Sequence, residues 1–361
     1  MAEEKSILQY DTVALEDDAL VIIDQTQLPF NIEILRLRTQ PEIWEAIHVL
    51  RVRGAPAIGV SAAIGVYLAA LEYKGGDHDG FAAHFRKAKE YLDSSRPTAV
   101  NLSWALKRME RCLDANLSRP VPEILAALKA EALEIRAEDV RVCRAIGEHG
   151  LTLIKDGDGL LTHCNAGQLA AVKYGTATAP MYVGFEKGMK FRIFSDETRP
   201  LLQGARLTTY ELHSAGLDVT LICDNMAASV MKKGWVNAVF VGCDRVAANG
   251  DAANKIGTLS VSIAAKRYGI PVYFCAPTST IDMATPTGAD IVIEERPGEE
   301  ITEMWYKTRM APKGCKTYNP AFDVTDADLI AGFVTEYGIA RAPYRQSFEE
   351  IFARKARGEK F

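Results

Sequence analysis

The sequence predicts an α/β protein in two parts: a mainly helical N-terminal domain with a small antiparallel sheet, and a Rossmann-like C-terminal domain with a doubly wound parallel sheet. Three observations lead to this fold class. Short β-rich pieces open the chain, alanine-rich helical periodicity follows to about Gly150, and short apolar runs alternating with helical segments fill the rest. We expect domains at 1–150 and 151–361.

The opening pieces alternate with turns, which predicts a small antiparallel sheet. They run from Thr12 to Leu15, Ala19 to Ile23 and Phe30 to Leu35. From Pro41 onward the period becomes helical. The predicted helical stretches are Ile58 to Tyr73, Phe81 to Asp93, Leu102 to Asn116 and Pro122 to Gly147.

The second half consists of short apolar runs, each followed by a segment long enough for a crossover helix. The runs are Leu160 to His163, Phe191 to Ser195, Val219 to Asp224, Ala238 to Asp244, Val272 to Ala276 and Ile291 to Glu294. Continuous apolar runs are typical of strands buried on both faces, which predicts a parallel sheet. The domain boundary is expected between about Gly147 and Gly159.

Composition narrows the function classes. A net charge of -5 and a pI near 5.8 provide no basic excess for nucleic acid or an anionic membrane surface, so a small-molecule partner is favoured. The seven cysteines contain no C-x-x-C pair, which predicts neither a disulfide framework nor a thiolate zinc site. The N-terminus MAEEKSILQYD lacks signal-peptide features, so a cytoplasmic protein without membrane attachment is expected.

No cofactor and no metal are expected. The chain has no G-x-G-x-x-G after a strand and no G-x-x-x-x-G-K-[ST], which disfavours a nicotinamide dehydrogenase or a kinase. Its six histidines show no metal-ligand spacing. His163 would point to the side of its strand opposite Cys164, so these neighbours are not expected to form a dyad.

Polar residues end four of the predicted strands, and ligands of open parallel sheets bind at that edge. The segments are THCNAG (162–167), SDETRP (195–200), CDNM (223–226) and GCDRV (242–246). Any one of them could cap the next helix instead. Four together predict one crevice.

Cys164 and Asp244 are the candidate catalytic residues in that crevice. Cys164 lies between a strand and a glycine-containing turn into a helix, where amides and the helix dipole would lower its pKa. The alternative is a small buried hydrophobe, which suits Cys112, Cys143 and Cys275. Asp244 ends an apolar run, where partial desolvation would suit a general acid or base.

Three segments are candidate phosphate sites. Residues 248–258 look like a turn into a helix that offers free amides beside Lys255. Arginines also precede a turn in 51–56 and a helix start in 94–98, and arginine suits bidentate phosphate binding. The alternative is an ordinary solvated or ion-paired surface residue in each case.

The chain resembles the methylthioribose-1-phosphate isomerase family, which also contains regulatory subunits of a translation-initiation nucleotide exchange factor. The resemblance rests on ordered motifs along nearly the whole chain: RGAPAIGV (53–60), SRPTAVNLSWAL (95–106), THCNAG (162–167), DETRPLLQGARLT (196–208), DNMAA (224–228), GCDRVAANGDAANKIGT (242–258) and NPAFDVT (319–325). Departures from the family pattern lie at Gln168, Lys173 and Cys243, and they bear on the substituent at C5 of the sugar.

The resemblance implies conversion of 5-methylthioribose 1-phosphate to 5-methylthioribulose 1-phosphate, a step of methionine salvage and biosynthesis, by a homodimer. It assigns catalysis to Cys164 and Asp244. It assigns substrate contacts to Arg53, Gly54, Ala55, Arg96, Gln203, Asn254 and Lys255. The same scaffold leaves open 5-deoxyribose 1-phosphate or ribose 1,5-bisphosphate as substrate, and a non-catalytic regulatory subunit that binds a sugar phosphate.

Overall fold

The computed structural model describes residues 6–97 and 99–361; residues 1–5 of the acidic N-terminus and Thr98 of the second arginine segment lie outside them. The chain divides into two compact units. The N-terminal unit holds the described residues up to Cys143 together with Gly167–Gly175, and the C-terminal unit holds Arg144–Ala166 and Thr176–Phe361. A boundary at residue 150 stays a prediction.

A three-stranded antiparallel sheet opens the N-terminal unit. Its strands are β1 (Val13–Glu16), β2 (Ala19–Ile23) and β3 (Ile34–Leu37), with β2 in the centre and fully buried. The small sheet predicted from the sequence is therefore confirmed. The third strand begins later than predicted because residues 25–30 form turns, which leave Phe30 exposed.

Helices form the rest of the N-terminal unit. They are α1 (Gln40–His48), α2 (Ala55–Leu71), α3 (His78–Asp93), α4 (Val100–Asn116) and α5 (Val121–Leu151). The last residues of α5, from Arg144 on, belong to the C-terminal unit. α2 is apolar on all sides and packs against α1, α3 and α4, so it forms the centre of this unit's core. No helix of the described residues is long and apolar enough to cross a membrane.

The C-terminal unit is built on a seven-stranded sheet with the order β14-β13-β10-β7-β4-β5-β6. Its strands and those of a smaller sheet are, in chain order, β4 (Gly159–Thr162), β5 (Arg192–Asp196), β6 (Asp218–Ile222), β7 (Ala238–Val241), β8 (Arg245–Ala247), β9 (Ala252–Lys255), β10 (Val272–Cys275), β11 (Ile281–Asp282), β12 (Phe322–Thr325), β13 (Gly332–Thr335) and β14 (Gly338–Ala340). The large sheet is parallel except at its edge, where β14 runs antiparallel to β13.

The predicted doubly wound sheet is confirmed, with one wrong strand. Ile291 to Glu294 forms no strand: Val292 is 92% exposed, so burial does not favour its pairing. β13 and β14, which the sequence reasoning did not identify, complete that side of the sheet. The remaining helices are α6 (Ala179–Glu186), α7 (Thr209–Ser214), α8 (Ala227–Lys232), α9 (Thr258–Tyr268), α10 (Glu299–Thr302) and α11 (Tyr344–Ala356).

The smaller sheet has the order β11-β8-β9-β12. β8 and β9 form an antiparallel hairpin directly after β7, and β12 pairs with β9 in antiparallel register, with Asp323 opposite Asn254. The segment from Asp244 to Lys255 therefore consists of this hairpin and the residue that precedes it.

Candidate active site

Cys164 and Asp244 follow two neighbouring parallel strands. β4 pairs with β7 through Leu160–Ala238 and Leu161–Val239, and each residue lies shortly after the last residue of its strand. From β4 the chain continues through β5 and β6 on one side, and then returns to β7, β10 and β13 on the other. The two residues thus lie at the topological switch point, where open α/β sheets bind ligands.

The backbone at Cys164 is held in an uncommon conformation. Its φ is +68°, a left-handed conformation that costs a non-glycine residue about 1 kcal/mol or more. The Cys164 amide donates to Thr198 Oγ1 at 2.8 Å, and Thr208 Oγ1 donates to the Cys164 carbonyl at 2.6 Å. These bonds fix the residue after β4 against the loop after β5 and the helical segment that follows it.

The expected helix directly after Cys164 is wrong. The following residues form a loop and a single 3-10 turn at Gln168–Ala170, and the next α-helix is α6. The residues that follow Cys164 therefore do not provide the helix dipole that was expected to lower the pKa of its thiol. Cys164 itself is buried, with 7% of its surface exposed.

Asp244 is exposed, so the expected partial desolvation is not present in this structure. Its amide donates to the Ala253 carbonyl at 2.9 Å, which ties the start of the β8–β9 hairpin together. Its charge adds to the burial that raises the pKa of the adjacent Cys243 thiol well above its usual value.

Gln203 is buried with an unsatisfied acceptor. It is 6% exposed, and its Oε1 has no hydrogen-bond partner among the described residues. It precedes a π-helical turn at Gly204–Thr208, a feature that is frequent at functional sites. A buried acceptor without a partner costs about 1 to 3 kcal/mol, which a hydroxyl donor from a ligand would recover.

Asn254 and Lys255 end β9. Asn254 is buried and donates to Thr258 Oγ1 at 3.0 Å, while the Lys255 ammonium lies 4.3 Å from the centre of the Phe322 ring. The amides expected to be free in this segment are not: Gly257 and Leu259 donate to the Asp323 carboxylate at 2.7 and 3.1 Å. The side chain of Lys255 stays a candidate anion contact of this turn.

Arg53, Gly54 and Ala55 lie at the start of α2 in the N-terminal unit. Gly54 has a φ of +91°, and a Cβ there would lie 2.4 Å from the backbone of Ala170, so only glycine fits. Gly54 has no side chain to cap α2, whose first turn can then receive an anion. The other arginine of this segment, Arg51, is paired with Glu45 and Asp24, which raise its pKa.

Arg96 follows a pair of serines that α1 holds in place. Trp44 Nε1 donates to Ser94 Oγ at 3.0 Å, and His48 Nδ1 lies 3.1 Å from the Ser95 carbonyl. Trp44 and His48 stack with their ring centres 4.5 Å apart. Arg96 is half-buried and belongs, like Arg53, to the N-terminal unit.

A buried network at the ends of β4, β5 and β6 was missed by the sequence reasoning. His163 Nδ1 lies 3.0 Å from Asp196 Oδ2, and the Asp224 carboxylate accepts from the amides of Thr198 and Arg199, each at 2.7 Å. Side-chain ligand atoms of His163, Asp196 and Asp224 lie within 4.8 Å of one another, a spacing open to a metal ion. The hydrogen bonds already account for this arrangement without one.

The three departures from the family pattern have structural roles. Gln168 Nε2 donates to the carbonyls of Ile7 and Tyr10, and Lys173 pairs with Asp11 at 3.4 Å, all within the N-terminal unit. Cys243 packs against the core of the C-terminal unit. These contacts do not by themselves indicate a changed substrate.

The fold is that of a doubly wound α/β protein, and the residues that follow its central strands lie at the switch point of the sheet, where proteins of this class bind ligands. The profile of the Initiation factor 2 subunit family matches residues 51–342. The chain belongs to that family.

Among its relatives, the methylthioribose-1-phosphate isomerase of Symbiobacterium thermophilum is 64% identical over 98% of this chain and 99% of that protein. The 5-deoxyribose 1-phosphate isomerase of Petrotoga mobilis is 57% identical over 92% of this chain and 96% of that protein.

Two solved structures are also similar. The 5-methylthioribose 1-phosphate isomerase of Pyrococcus horikoshii OT3 has a TM-score of 0.91 and 40% identity over 98% of each chain. The translation initiation factor eIF-2B subunit delta of A. fulgidus has a TM-score of 0.86 and 42% identity over 94% of this chain and 99% of that chain.

Proposed function

We propose that this protein is an aldose-ketose isomerase that converts 5-methylthioribose 1-phosphate to 5-methylthioribulose 1-phosphate in methionine salvage. The observation that carries the proposal is the position of Cys164 and Asp244 after two adjacent strands at the switch point of the sheet. Relatives with that activity in their names cover nearly the whole chain, which supports the choice of reaction.

The substrate needs ring opening by an acid. Its anomeric oxygen carries the phosphate, so the sugar does not open to a free aldehyde. Asp244, in its protonated form, donates its proton to the ring oxygen, and the bond between C1 and that oxygen breaks. Cys164 assists the movement of hydrogen from C2 to C1, and the C2 hydroxyl returns its proton to the Asp244 carboxylate as the ketone forms. Bound substrate would cover Asp244 and exclude water from it, which raises the pKa of a carboxyl group and keeps it an acid.

Binding contacts are proposed for both units. The first turn of α2, with Arg53, is suited to the phosphate because its amides and a guanidinium both favour an anion. Lys255 and Arg96 add positive charge. The unpaired Oε1 of Gln203 accepts a hydrogen bond from a sugar hydroxyl.

Two routes for the hydrogen are distinguishable. With Cys164 as base, C2 loses a proton and C1 gains one through an enediol-like species; with a hydride shift, the same hydrogen moves directly. Substrate deuterated at C2 is turned over in ordinary water and the product analysed by NMR. Deuterium kept at C1 indicates the hydride shift, whereas its loss to water indicates proton transfer.

The second candidate substrate is 5-deoxyribose 1-phosphate. Several relatives between 54% and 57% identical are named for that sugar, which lacks only the methylthio group. The ratio of kcat/KM for the two sugars decides between them. A ribose 1,5-bisphosphate substrate would need a second basic site, and a non-catalytic regulatory subunit would not need Cys164 and Asp244.

We also propose that the protein acts in the cytoplasm as a homodimer, as the family resemblance implies. Size-exclusion chromatography with light scattering measures the oligomeric state directly. A mass of one chain, at concentrations where the enzyme is active, would contradict the dimer.

The first experiment incubates the purified chain with 5-methylthioribose 1-phosphate and follows ketose formation by NMR. Cys164→Ala and Asp244→Asn are each expected to lower kcat by about 100-fold or more, the usual range for a lost acid-base group. Cys315→Ala and Asp326→Asn are matched controls at exposed positions. Full activity in either catalytic variant would remove that residue from the mechanism, and a folded but inert wild type would favour the regulatory role.

A further inference from the structure

His163 is a buried histidine that the proposed reaction does not use. It is 1% exposed, and both ring nitrogens have partners: Nδ1 lies 3.0 Å from Asp196 Oδ2, and Nε2 lies 2.9 Å from the Ile256 carbonyl. With both nitrogens engaged in this way, His163 is not the base for Cys164. Its contacts instead join two segments that are far apart in the sequence.

The direction of these hydrogen bonds follows from the partners. A carbonyl oxygen only accepts, so Nε2 carries a proton and donates to Ile256. Burial opposes the charged imidazolium, but the hydrogen bond to Asp196 and the charges of Asp196 and Asp224 outweigh it, and the pKa of His163 is raised. Nε2 of His163 therefore donates to Ile256, while Nδ1 makes the contact with Asp196.

The turn on which His163 acts is packed directly against its ring. Gly257 has a φ of +104°, and a Cβ there would lie 2.8 Å from His163 Cε1 and 2.9 Å from Nε2. On its other side the turn is held by Asp323 and by the bond from the Ile256 amide to the Ala321 carbonyl at 3.1 Å. The position of the turn is therefore set from two sides, one of which is His163.

We propose that His163 is a positioning residue: by holding the Ile256–Gly257 turn against the end of β4, it sets Asn254 and Lys255 relative to Cys164. Lys255 immediately precedes this turn, and Cys164 immediately follows His163. A shift of the turn would thus move the ammonium group away from a bound phosphate while the rest of the sheet stays in place. The inference rests on the proposed function, since it assigns Lys255 a sugar-phosphate ligand.

Two substitutions distinguish the two contacts of His163. Each of them replaces the imidazole with a neutral amide. In His163→Gln the amide nitrogen reaches the place of Nε2 and retains a donor to Ile256; in His163→Asn it reaches the place of Nδ1 and retains only the donor to Asp196. Both leave Asp196 without its imidazole partner, so any cost of losing that ring is shared. The difference in substrate affinity between His163→Gln and His163→Asn therefore measures the effect of the contact between residue 163 and the Ile256–Gly257 turn.

The test measures the Kd of 5-methylthioribose 1-phosphate by calorimetry in the Cys164→Ala chain, which prevents turnover, and kcat and KM in the otherwise native chain. His163→Asn is expected to bind about 10-fold more weakly than His163→Gln, the effect of roughly one lost hydrogen bond to a fixed partner. A purely structural defect would instead lower the active fraction, seen as a smaller kcat at unchanged KM and Kd. Equal Kd values in the two variants would overturn the proposal.

Gly257→Ala provides a second variant in which His163 is intact but the turn is pushed from its ring. It is expected to raise Kd, whereas Gly269→Ala, with a φ of +68° and open space around its Cβ, is not. An unchanged Kd in Gly257→Ala would contradict the inference.

The outcomes for the two proposals differ. No turnover by the wild type, together with the 10-fold difference in Kd, would reject the isomerase function and keep the role of His163. Turnover by the wild type with equal Kd values in the two variants would keep the isomerase function and reject the role of His163. If the protein bound no sugar phosphate, both proposals would be rejected.

Discussion

Two helices of this protein begin in the same way and differ in what their first turn can bind. α2 follows Arg53 and Gly54, and α9 follows Lys255 and Gly257, with both glycines at positive φ. At α9 the Asp323 carboxylate accepts from the first amides, whereas at α2 no carboxylate of the described residues does so. An anion can therefore use backbone amides at α2, whereas at α9 the Asp323 carboxylate already engages the amides of Gly257 and Leu259.

The residues that pack against the glycines at the two helix starts differ as well. Gly54 packs on the segment 167–175, which a half-buried Asp139 holds by accepting from the Val172 amide at 2.7 Å. Gly257 packs on His163, which is paired with the buried Asp196. Burial raises the pKa of Asp139 to about 7 and that of Asp196 to about 6, and His163 opposes the rise at Asp196. The carboxyl of Asp196 therefore has a lower pKa than that of Asp139.

The largest expected effect is at Gly54. In Gly54→Ala the new Cβ meets the backbone of Ala170, and the residue keeps an unfavourable φ, so the free energy of unfolding should fall by about 3 kcal/mol. Urea unfolding measures the change. Gly76→Ala, where nothing lies within 4 Å of the new Cβ, is the control. Equal stability of the two variants would show that the α2 start tolerates a side chain.

The pH dependence of Asp139 should be nearly as large. Its pKa is about 7 in the folded chain against 3.8 when exposed, so its ionisation destabilises the fold, and stability is lost as pH rises from about 4 through about 7. Between pH 5 and pH 8 the wild type should lose about 2 to 3 kcal/mol relative to Asp139→Asn, whose amide oxygen still accepts from Val172.

Urea unfolding of the two chains at a series of pH values checks this difference, with Asp326→Asn as an exposed control. Parallel stability curves for the wild type and Asp139→Asn would mean that the Asp139 carboxyl is not the titrating group.

At Gly257 the loss should be smaller than at Gly54. In Gly257→Ala the new Cβ meets a side-chain ring rather than backbone, so we expect a loss of about 2 kcal/mol. Gly269→Ala carries the positive φ alone and should lose about 1 kcal/mol. If Gly257→Ala lost more free energy of unfolding than Gly54→Ala, the expected order of the two helix starts would be wrong.

The smallest effect is expected for Asp323, whose carboxylate accepts from the amides of Gly257 and Leu259 at the start of α9. Asp323→Asn removes the charge and one of two acceptor oxygens, which should lower the free energy of unfolding by about 1 kcal/mol. Thermal or urea unfolding detects it. The variant also frees an amide beside Lys255, so inorganic phosphate should stabilise it more than it stabilises the wild type; no such difference would mean that the α9 amides are inaccessible.

Much of the fold was predictable because its signals are local. β2 has the predicted bounds, and five of the six apolar runs became strands of the large sheet. Ile291 to Glu294 was wrong because an apolar run predicts a strand only where a neighbour buries it. Gln203 and Asn254 entered through the family resemblance, whereas Lys255 was also predicted from the turn at 248–258, and the roles of all three stay predictions.

The sequence by itself determined the alternation of strands and helices, the glycines at tight turns, and the polar residues that end the strands, since each depends on a few neighbouring residues. Only the tertiary structure decided that β7 pairs with β4, which brings the segments of Cys164 and Asp244 side by side. It also decided that His163 meets Asp196 and Ile256, and that Asp244 lies exposed. Strand order and burial are set by long-range pairing and packing, and no local pattern encodes them.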